Sequence, residues 1–374
     1  MAAALLASMG AQVAAAAPAV TADGYAIPQP GHHFSFPADY GAHPNFRIEW
    51  WYLTGHLYAA DARRFGFQAT FFRFAGPKDA APTPADFSRN ALFLAHMAVT
   101  DVNGGRFHHT ERLNRQGWDA HAAVGRLDLR NGPWTLTTSA PPHAPGRIGS
   151  GIILKLSGSV EADASFALTL EPTKPLVVFG EDGVSRKGSE PSAASYYLTF
   201  PRLRTTGTLT VGESQYQVHG EAWMDHEISS SQLGANQIGW DWTCVQFRDS
   251  PWELMLYRLR RADGTADPAS RLQWVDPRSQ AITSDYGWRV LSWWKSPRSG
   301  ARYPSRVELS TTSPATGRRV HLLLEPLAKD QELTNALGGG PYWEGTCRVR
   351  DEDTGKDIGS AYMELTGYAK ALKM

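Results

Sequence analysis

The densest group of chemically useful side chains in this sequence lies between His219 and Arg260. Indole, imidazole, carboxylate and guanidinium groups alternate there along two strand-like segments, which are joined by a connection rich in Ser, Gly and Asn. Aromatic walls that enclose a few polar or ionisable groups are typical of a site for a largely apolar ligand. This stretch is therefore the first candidate for a functional site.

Side chains alternate between the two faces of a strand, and this alternation predicts which groups face the same way. The first segment divides into two faces, with Trp223, Asp225 and Glu227 on one and Met224, His226 and Ile228 on the other. The second segment places Trp240 and Trp242 together and Asp241 opposite them. If these strands form the wall of a β-barrel, one face of each looks into the lumen.

Acid–base catalysis on a largely apolar ligand is the chemistry that these residue types would support. A reaction that passes through a cation requires an acid, a surface that tolerates the positive charge, and a base that can act on a water molecule. Burial raises the pKa of a carboxyl group, and aromatic faces stabilise cations. Asp225 is the first candidate for the acid and Asp241 the second, with His226 or Glu227 positioning or deprotonating the water. The predicted cation wall consists of Trp223, Trp240, Trp242 and Tyr257.

Other hypotheses explain the same residues. In a purely structural role, Asp225 and Glu227 would pair across the strands with Arg258 or Arg260 and hold a junction between domains. An exported carrier of a lipid or isoprenoid would need the aromatic walls but not the acid. A cyclase or isomerase would fold a polyene in the same pocket. Replacing Asp225 by Asn separates an acid catalyst from a carrier, because only the catalyst would lose turnover.

Length and composition indicate an all-β protein with two domains. A chain of 374 residues exceeds one ordinary core, and 13 Trp, 35 Gly and 24 Pro suit many short strands joined by turns. The 37 Lys and Arg residues balance 37 Asp and Glu residues, so neither nucleic acid nor an anionic membrane surface is a favoured partner. The sequence contains no nucleophile elbow, P-loop, dinucleotide fingerprint or zinc-ligand spacing, and we expect no cofactor and no metal.

The N-terminal segment, residues 1–23, is similar to a signal peptide in its Ala-rich apolar run and its small residues before a cleavage site, although it lacks a basic start. We therefore expect a periplasmic or secreted protein. No later run of about 18 apolar residues predicts a transmembrane span. In an exported protein Cys244 and Cys347 could form a disulfide or remain buried thiols, and the sequence leaves both alternatives open.

An aromatic strand is predicted at residues 46–59, where alternation groups Glu49 with Trp51 and Trp50 with Tyr52. Two interpretations of Glu49 remain. It could belong to a binding surface beside these aromatic rings, or it could be a core carboxylate paired with Arg47 or Arg73, since a buried carboxylate needs a partner in either case.

Strand-like segments punctuated by Gly, Asn or Pro recur about every ten residues along the chain, as in an antiparallel meander. One of them, residues 91–102, carries His96 at its centre, which we expect to be a hydrogen-bonded core histidine. The pattern predicts two β-barrels of similar size, residues 24–218 and 219–374, with the boundary near residues 216–222. Two abutting barrels would leave a pocket at their interface.

Several of these segments resemble the AttH/CrtC family. The resemblance lies in HPNFRIEWWYLTGHL at 43–57, GEAWMDHEISSSQLGANQIGWDW at 220–242, ELMLYRLRR at 253–261, PYWEGTCRVRD at 341–351 and AYMELTGYA at 361–369. The family includes carotenoid 1,2-hydratases and secreted AttH-like proteins, and related fungal proteins act as pericyclases. The resemblance covers nearly the whole chain after residue 23 and implies two tandem lipocalin-like antiparallel β-barrels.

What the resemblance implies about function is a hydrophobic small-molecule ligand and, in the hydratase branch, addition of water to an isoprenoid double bond without a redox cofactor. The expected catalytic residues are Asp225, His226, Glu227 and Asp241. The expected substrate-binding residues are Glu49, Trp50, Trp51, Tyr52, Trp223, Trp240, Trp242, Tyr257, Arg258, Tyr342 and Trp343.

Overall fold

Antiparallel strands make up nearly all of the regular structure. The computed structural model describes residues 19–78, 91–117, 119–139, 151–276, 278–334, 337 and 339–372. Among them the only helix is one 3-10 turn, Ala38–Tyr40. The predicted all-β class is therefore confirmed, whereas most of the predicted signal peptide, residues 1–18, lies outside the described residues.

The first sheet contains thirteen strands. They are β1 (Ile48–Ala59), β2 (Arg64–Phe74), β3 (Leu92–Asp101), β4 (Arg106–Arg115), β5 (Ala120–Ala122), β6 (Asp128–Asn131), β7 (Trp134–Thr138), β8 (Leu154–Val160), β9 (Ala164–Pro172), β10 (Val177–Phe179), β11 (Ser185–Arg186), β12 (Ala194–Val211) and β13 (Ser214–Ser231). Their order is β4-β3-β2-β1-β13-β12-β9-β8-β7-β6-β5, with β10 and β11 paired to β12. Because β3 and β4 also contact β6 and β8, the sheet curls into a nearly closed barrel.

The second sheet contains ten strands and remains an open half-barrel. They are β14 (Gln237–Phe247), β15 (Glu253–Arg261), β16 (Arg271–Val275), β17 (Gln280–Thr283), β18 (Tyr286–Lys295), β19 (Arg302–Thr312), β20 (Arg319–Pro326), β21 (Glu332–Leu333), β22 (Tyr342–Asp351) and β23 (Asp357–Leu365). The order is β17-β16-β15-β14-β23-β22-β20-β19-β18, with β21 paired to β22. The two tandem lipocalin-like units expected from the sequence are thus present.

Strand β1 is buried on both faces, and its alternation explains how. Trp51 and Leu53 belong to the core of the first barrel, whereas Trp50 and Tyr52 belong to a second cluster that packs against β14, β15 and β23. The grouping of Trp50 with Tyr52 that the sequence predicts is confirmed. One strand therefore serves two cores, which accounts for its nearly continuous burial.

Buried polar contacts join the two sheets. The Tyr52 hydroxyl donates to Glu344 Oε2 at 2.8 Å, and His56 Nε2 lies 2.9 Å from the Ala361 carbonyl oxygen. The fully buried Glu253 carboxylate in turn accepts from Arg202 at 2.5 Å. Since buried polar groups are costly without partners, these contacts fix how the sheets sit on each other.

The chain passes from the first sheet to the second between Ser231 and Gln237. The sheet boundary therefore lies later than residues 216–222, because β13 is paired with β1 and β12 along most of its length, out to Ser229 and Ser231. A division into domains at residue 219 would cut through this strand. That the two halves of the chain are separate domains stays a prediction.

The two cysteines are free and buried. Cys244 lies in the cluster between the sheets, whereas Cys347 lies in the separate core of the second sheet. Of the two alternatives that the sequence left open, the structure has the free thiols.

Close approach of β2 and β22 gives a test of this packing. A Cβ atom at Gly66 would lie 2.0 Å from Thr346 Cγ2, so Gly66→Ala is expected to lower the free energy of unfolding by about 1–3 kcal/mol. Thr346→Ser removes that methyl group, so the double variant Gly66→Ala with Thr346→Ser should regain part of the lost free energy of unfolding. Urea denaturation measures the free energy of unfolding of each variant. Gly234→Ala, where a Cβ would meet only ordinary contacts, is the control. Equal losses in the single and double variants would contradict the packing.

Candidate functional site: a cavity between the two sheets

A cavity of roughly 780 Å³, counting the open space at its mouth, lies between the two sheets. Its aromatic lining comes from both of them, and consists of Trp50, Tyr52, Phe72, Tyr197, Trp240, Trp242, Tyr257 and Tyr342. Its ionisable lining consists of His96, Asp225, Glu227 and Glu364. The predicted pocket at the interface is therefore present, although it lies between the barrels rather than in the lumen of one.

Asp225 is a buried carboxyl group on the wall that β13 contributes. It accepts hydrogen bonds from the Tyr197 hydroxyl at 2.6 Å, the Thr199 hydroxyl at 2.6 Å and Trp223 Nε1 at 2.7 Å. Burial raises the pKa of Asp225 to about 7, even though these three bonds oppose the rise. The group can therefore gain or lose a proton near neutral pH.

Glu364, on β23, is a second carboxyl group on the cavity wall. It accepts a hydrogen bond from Trp240 Nε1 at 2.8 Å. Burial raises the pKa of Glu364 to about 8, and the nearby charges of Glu227 and Asp225 add to the rise. Its register partner on β22, Glu344, is fully buried, and burial together with Glu364 raises the pKa of Glu344 well above its usual range.

Glu227 is the carboxyl group of this wall that has a cation beside it. Lys187 Nζ lies 3.0 Å from Glu227 Oε2, and the Ser195 hydroxyl donates to the same oxygen at 2.5 Å. The ammonium group also lies 3.6 Å from the centre of the Tyr257 ring. Burial lowers the pKa of Lys187, whereas the carboxylate of Glu227 opposes that change.

His96 lines the cavity from the first sheet. Its Nδ1 lies 2.7 Å from the Tyr342 hydroxyl, while among the described residues its buried Nε2 has no hydrogen-bond partner. Burial lowers the pKa of His96 to about 3, so the ring is neutral. The lone core histidine of the sequence is thus a polar group of the cavity wall.

The other face of β1 and β13 carries a separate buried network. Glu49 Oε1 lies 2.8 Å from both His43 Nδ1 and His226 Nε2, Glu49 Oε2 accepts from Arg73 Nε at 3.0 Å, and His43 Nε2 lies 3.0 Å from Asp39 Oδ1. Burial would raise the pKa of Glu49, but the hydrogen bonds from both histidines hold it well below its usual range. Of the two cations considered for Glu49, Arg73 is its partner.

Three groups of side chains in the described ranges have the spacing to hold a cation. The buried one, His43, Glu49 and His226, places its ligand atoms within 4.8 Å of one another. The charge of Glu49 is already compensated by Arg73 and by protonated His43, so this group forms a balanced ion network without an added cation. The other two, His108 with Glu161 and Asp163 and Glu308 with His321 and Glu352, each include half-buried or exposed carboxylates.

Eight of the side chains predicted from the sequence line the cavity: Trp50, Tyr52, Asp225, Glu227, Trp240, Trp242, Tyr257 and Tyr342. Trp223 lies behind them and donates to Asp225. The remaining six lie elsewhere: Glu49, Trp51, His226, Asp241, Arg258 and Trp343.

Strand alternation is the reason for these misplacements. Glu49 and Trp51 point into the first barrel with His226, whose ring stacks on Trp51 at 4.6 Å. Asp241 points away from Trp240 and Trp242 and pairs with both Arg258 at 2.7 Å and Arg260 at 3.0 Å. The structural hypothesis paired Asp225 and Glu227 with Arg258 or Arg260, but both arginines pair with Asp241 instead.

The polar and aromatic groups of the wall that sequence reasoning missed include Thr70, Phe72, His96, Tyr197 and Glu364. A signal existed for Glu364, because alternation in AYMELTG places it with Tyr362 and opposite Met363 and Leu365. The others come from strands that only the pairing of the sheets brings to the cavity.

The fold and the site define a tandem lipocalin-like protein with an aromatic, carboxyl-containing cavity between its two units. The profile of the AttH-like family matches residues 27–368, so the chain belongs to that family. A crystal structure of a putative AttH from Nitrosomonas europaea is similar to it with 32% identity and a TM-score of 0.77, covering 92% of this chain and 99% of that one.

Two further proteins are similar to this chain, one in its fold and one in part of its sequence. The structure of kievitone hydratase from Nectria haematococca has 13% identity and a TM-score of 0.62, and the similarity covers 88% of this chain and 93% of that one. A ceramide-binding protein, svf1 of Aspergillus fumigatus, is 25% identical over 109 residues, which span 28% of this chain and only 27% of that protein. In the described part of the chain no helix has the length and apolar character needed to cross a membrane.

The ion network around His43 makes stability depend on pH. Burial alone would lower the pKa of His43, but hydrogen bonds with Asp39 and Glu49 raise it to about 9. The imidazole has a pKa of about 6.5 when unfolded, so its stabilisation is fully present below that pH and is lost as pH rises through about 9. The free energy of unfolding should therefore differ between the parent protein and His43→Asn by up to about 3 kcal/mol at low pH, and by less above pH 9.

Urea denaturation across this pH range measures the difference, and His33→Asn, at an exposed histidine, is the control. A His43→Asn difference that stays constant over the whole range would contradict a protonated His43 in the network.

Proposed function

We propose that this protein binds an apolar, unsaturated molecule such as an isoprenoid or lipid in the cavity between the sheets and adds water to one of its double bonds. The observation that carries the proposal is Asp225, a buried carboxyl group with a pKa of about 7 on an aromatic wall. A general acid works best when its pKa is near the operating pH. Asp225 meets that condition without any cofactor.

Four residues of the wall have a role in the proposed reaction. Asp225 gives its proton to one alkene carbon, and the π electrons form the new C–H bond. The cation left on the neighbouring carbon faces the rings of Trp240 and Trp242. The oxygen of a water molecule then bonds to the cationic carbon, and the surplus proton of that water passes to the carboxylate of Glu227. Proton exchange then removes this proton from Glu227 and returns a proton to Asp225.

Hydrogen bonds to Asp225 support this assignment. The donors Tyr197, Thr199 and Trp223 are in place before the proton leaves, and they would stabilise the carboxylate that forms. Glu364, with a pKa of about 8, replaces Asp241 as the second candidate acid, since Asp241 is held by two arginines. The named activity of kievitone hydratase, which shares the fold, is consistent with hydration chemistry in this architecture.

The hydration reaction can be tested with whatever molecule the protein carries in its own host. Native mass spectrometry of protein from that host, followed by lipid extraction, identifies the bound molecule. Incubating that molecule with the protein in D2O should produce an alcohol with deuterium on the adjacent carbon. Asp225→Asn should lower this rate by about 100-fold or more while the ligand still binds, because amide and carboxyl groups have the same shape.

Glu171→Gln, at a surface carboxylate paired with Arg204, is the control and should keep the parent rate. Unchanged turnover in Asp225→Asn would overturn the assignment of the acid.

A non-catalytic carrier is the second candidate function, and the ceramide-binding relative favours it. A carrier requires the aromatic cavity but no proton transfer. Ligand that binds at near-stoichiometric amounts, with no deuterium entering it in the parent protein, would establish the carrier instead of the hydratase. Both candidates are compatible with export, and we propose a periplasmic or secreted location from the N-terminal segment.

A further inference from the structure

The ionisable groups around the cavity are unusually one-sided in charge. Four carboxyl groups lie on or directly behind its wall: Asp225, Glu227, Glu344 and Glu364. None of the described residues that line it is Arg or Lys, and Lys187, beside Glu227, lies behind the wall. That ammonium group is already paired with Glu227, so a further negative charge in this cavity would be buried with no free cation beside it, which is unfavourable.

Neutral polar groups complete the wall. Tyr342 and His96 form a hydrogen-bonded pair, and the ring of His96 is uncharged. When the Tyr342 hydroxyl donates to Nδ1, the ring proton lies on Nε2, which has no hydrogen-bond partner among the described residues. This N–H lies 3.9 Å from Glu111 Oε2, which is beyond hydrogen-bond distance, so an oxygen atom of a ligand that accepts from it would satisfy a buried donor.

The carboxyl groups that hold protons act in the same direction. A neutral carboxyl can donate one hydrogen bond and accept others, which suits a hydroxyl or amide group. An anionic head group would be buried in a medium of low dielectric constant without a free cation, and it would repel any of these carboxyl groups that loses its proton.

We propose that the ligand of this cavity carries an uncharged, hydrogen-bonding polar end, such as an alcohol or a primary amide, and that the cavity rejects anionic amphiphiles such as fatty acids. The inference rests on the cavity being the ligand site, as proposed above. It adds the chemical class of the polar end, which the aromatic walls alone do not define.

Calorimetric titration of the full chain with three ligands of one alkyl length tests the proposal. A fatty alcohol, the corresponding primary amide and the corresponding fatty acid are used near neutral pH and below their aggregation concentrations. The alcohol and the amide are expected to bind with similar affinity, and the acid at least about ten-fold more weakly.

Two variants connect this selectivity to the carboxyl groups. Glu364→Gln keeps an acceptor for Trp240 Nε1 and removes one group that can become negatively charged, so it should narrow the difference in affinity between fatty acid and alcohol by several-fold in titrations repeated above about pH 8. Asp225→Asn should also narrow the difference in affinity between acid and alcohol, and it tests the proposal independently if Glu364→Gln does not fold. Glu171→Gln makes the same change of charge away from the cavity and should leave the difference as it is in the parent protein.

The outcomes separate this inference from the proposed function. An acid that binds the parent protein as tightly as the alcohol overturns the inference while the apolar site stands. A preference for the alcohol that is unchanged in both Glu364→Gln and Asp225→Asn also overturns it, since the carboxyl groups would not be its source. If none of the three ligands binds, the cavity is not a site for such molecules and the proposed function itself fails.

Discussion

Burial on both faces of β1 and of the second half of β13, residues 222–230, is the constraint on which the rest of this structure depends. One face of each of these segments completes the first barrel, and the other packs against the second sheet. Every polar side chain in these buried segments must therefore find a partner inside the protein. The two faces meet this requirement differently: Glu49 and His226 join a network with Arg73, whereas Asp225 receives only neutral donors.

The difference in partners leaves an ionised carboxylate on one face and a carboxyl group with a raised pKa on the other. A carboxylate beside a guanidinium and an imidazolium stays ionised and contributes to stability, as Glu49 does. A carboxyl group among hydroxyl and indole donors has no cation to hold its charge, so burial keeps its pKa near neutrality, as at Asp225. Adjacent positions in one strand, Asp225 and His226, thus belong to the cavity wall and to a buried ion network respectively.

The cavity also depends on the second sheet, which supplies groups that complete the first. Trp240 and Trp242 from β14 close the aromatic wall, and Glu364 from β23 adds a second protonated carboxyl. Two barrels that shared no face would leave these groups in solvent, where the pKa of a carboxyl is low and a cation is not shielded from water. The packing of the two sheets on each other is therefore what raises the pKa values of the carboxyl groups in this cavity.

The sequence by itself determined the all-β class and the grouping of Trp50 with Tyr52 and of Trp223 with Asp225 and Glu227, because strand alternation is a local property with a period of two residues. The role of Asp225 as the acid stays a prediction. The sequence could not tell which of two alternating faces looks into the cavity, so Glu49, Trp51, His226 and Asp241 were included in the predicted site although they lie on the opposite faces. Nor could it bring His96, Tyr197 and Glu364 together with Asp225, since they lie on separate strands. Only the packing of one sheet on the other decided those neighbours, because long-range pairing sets them and no local pattern encodes it.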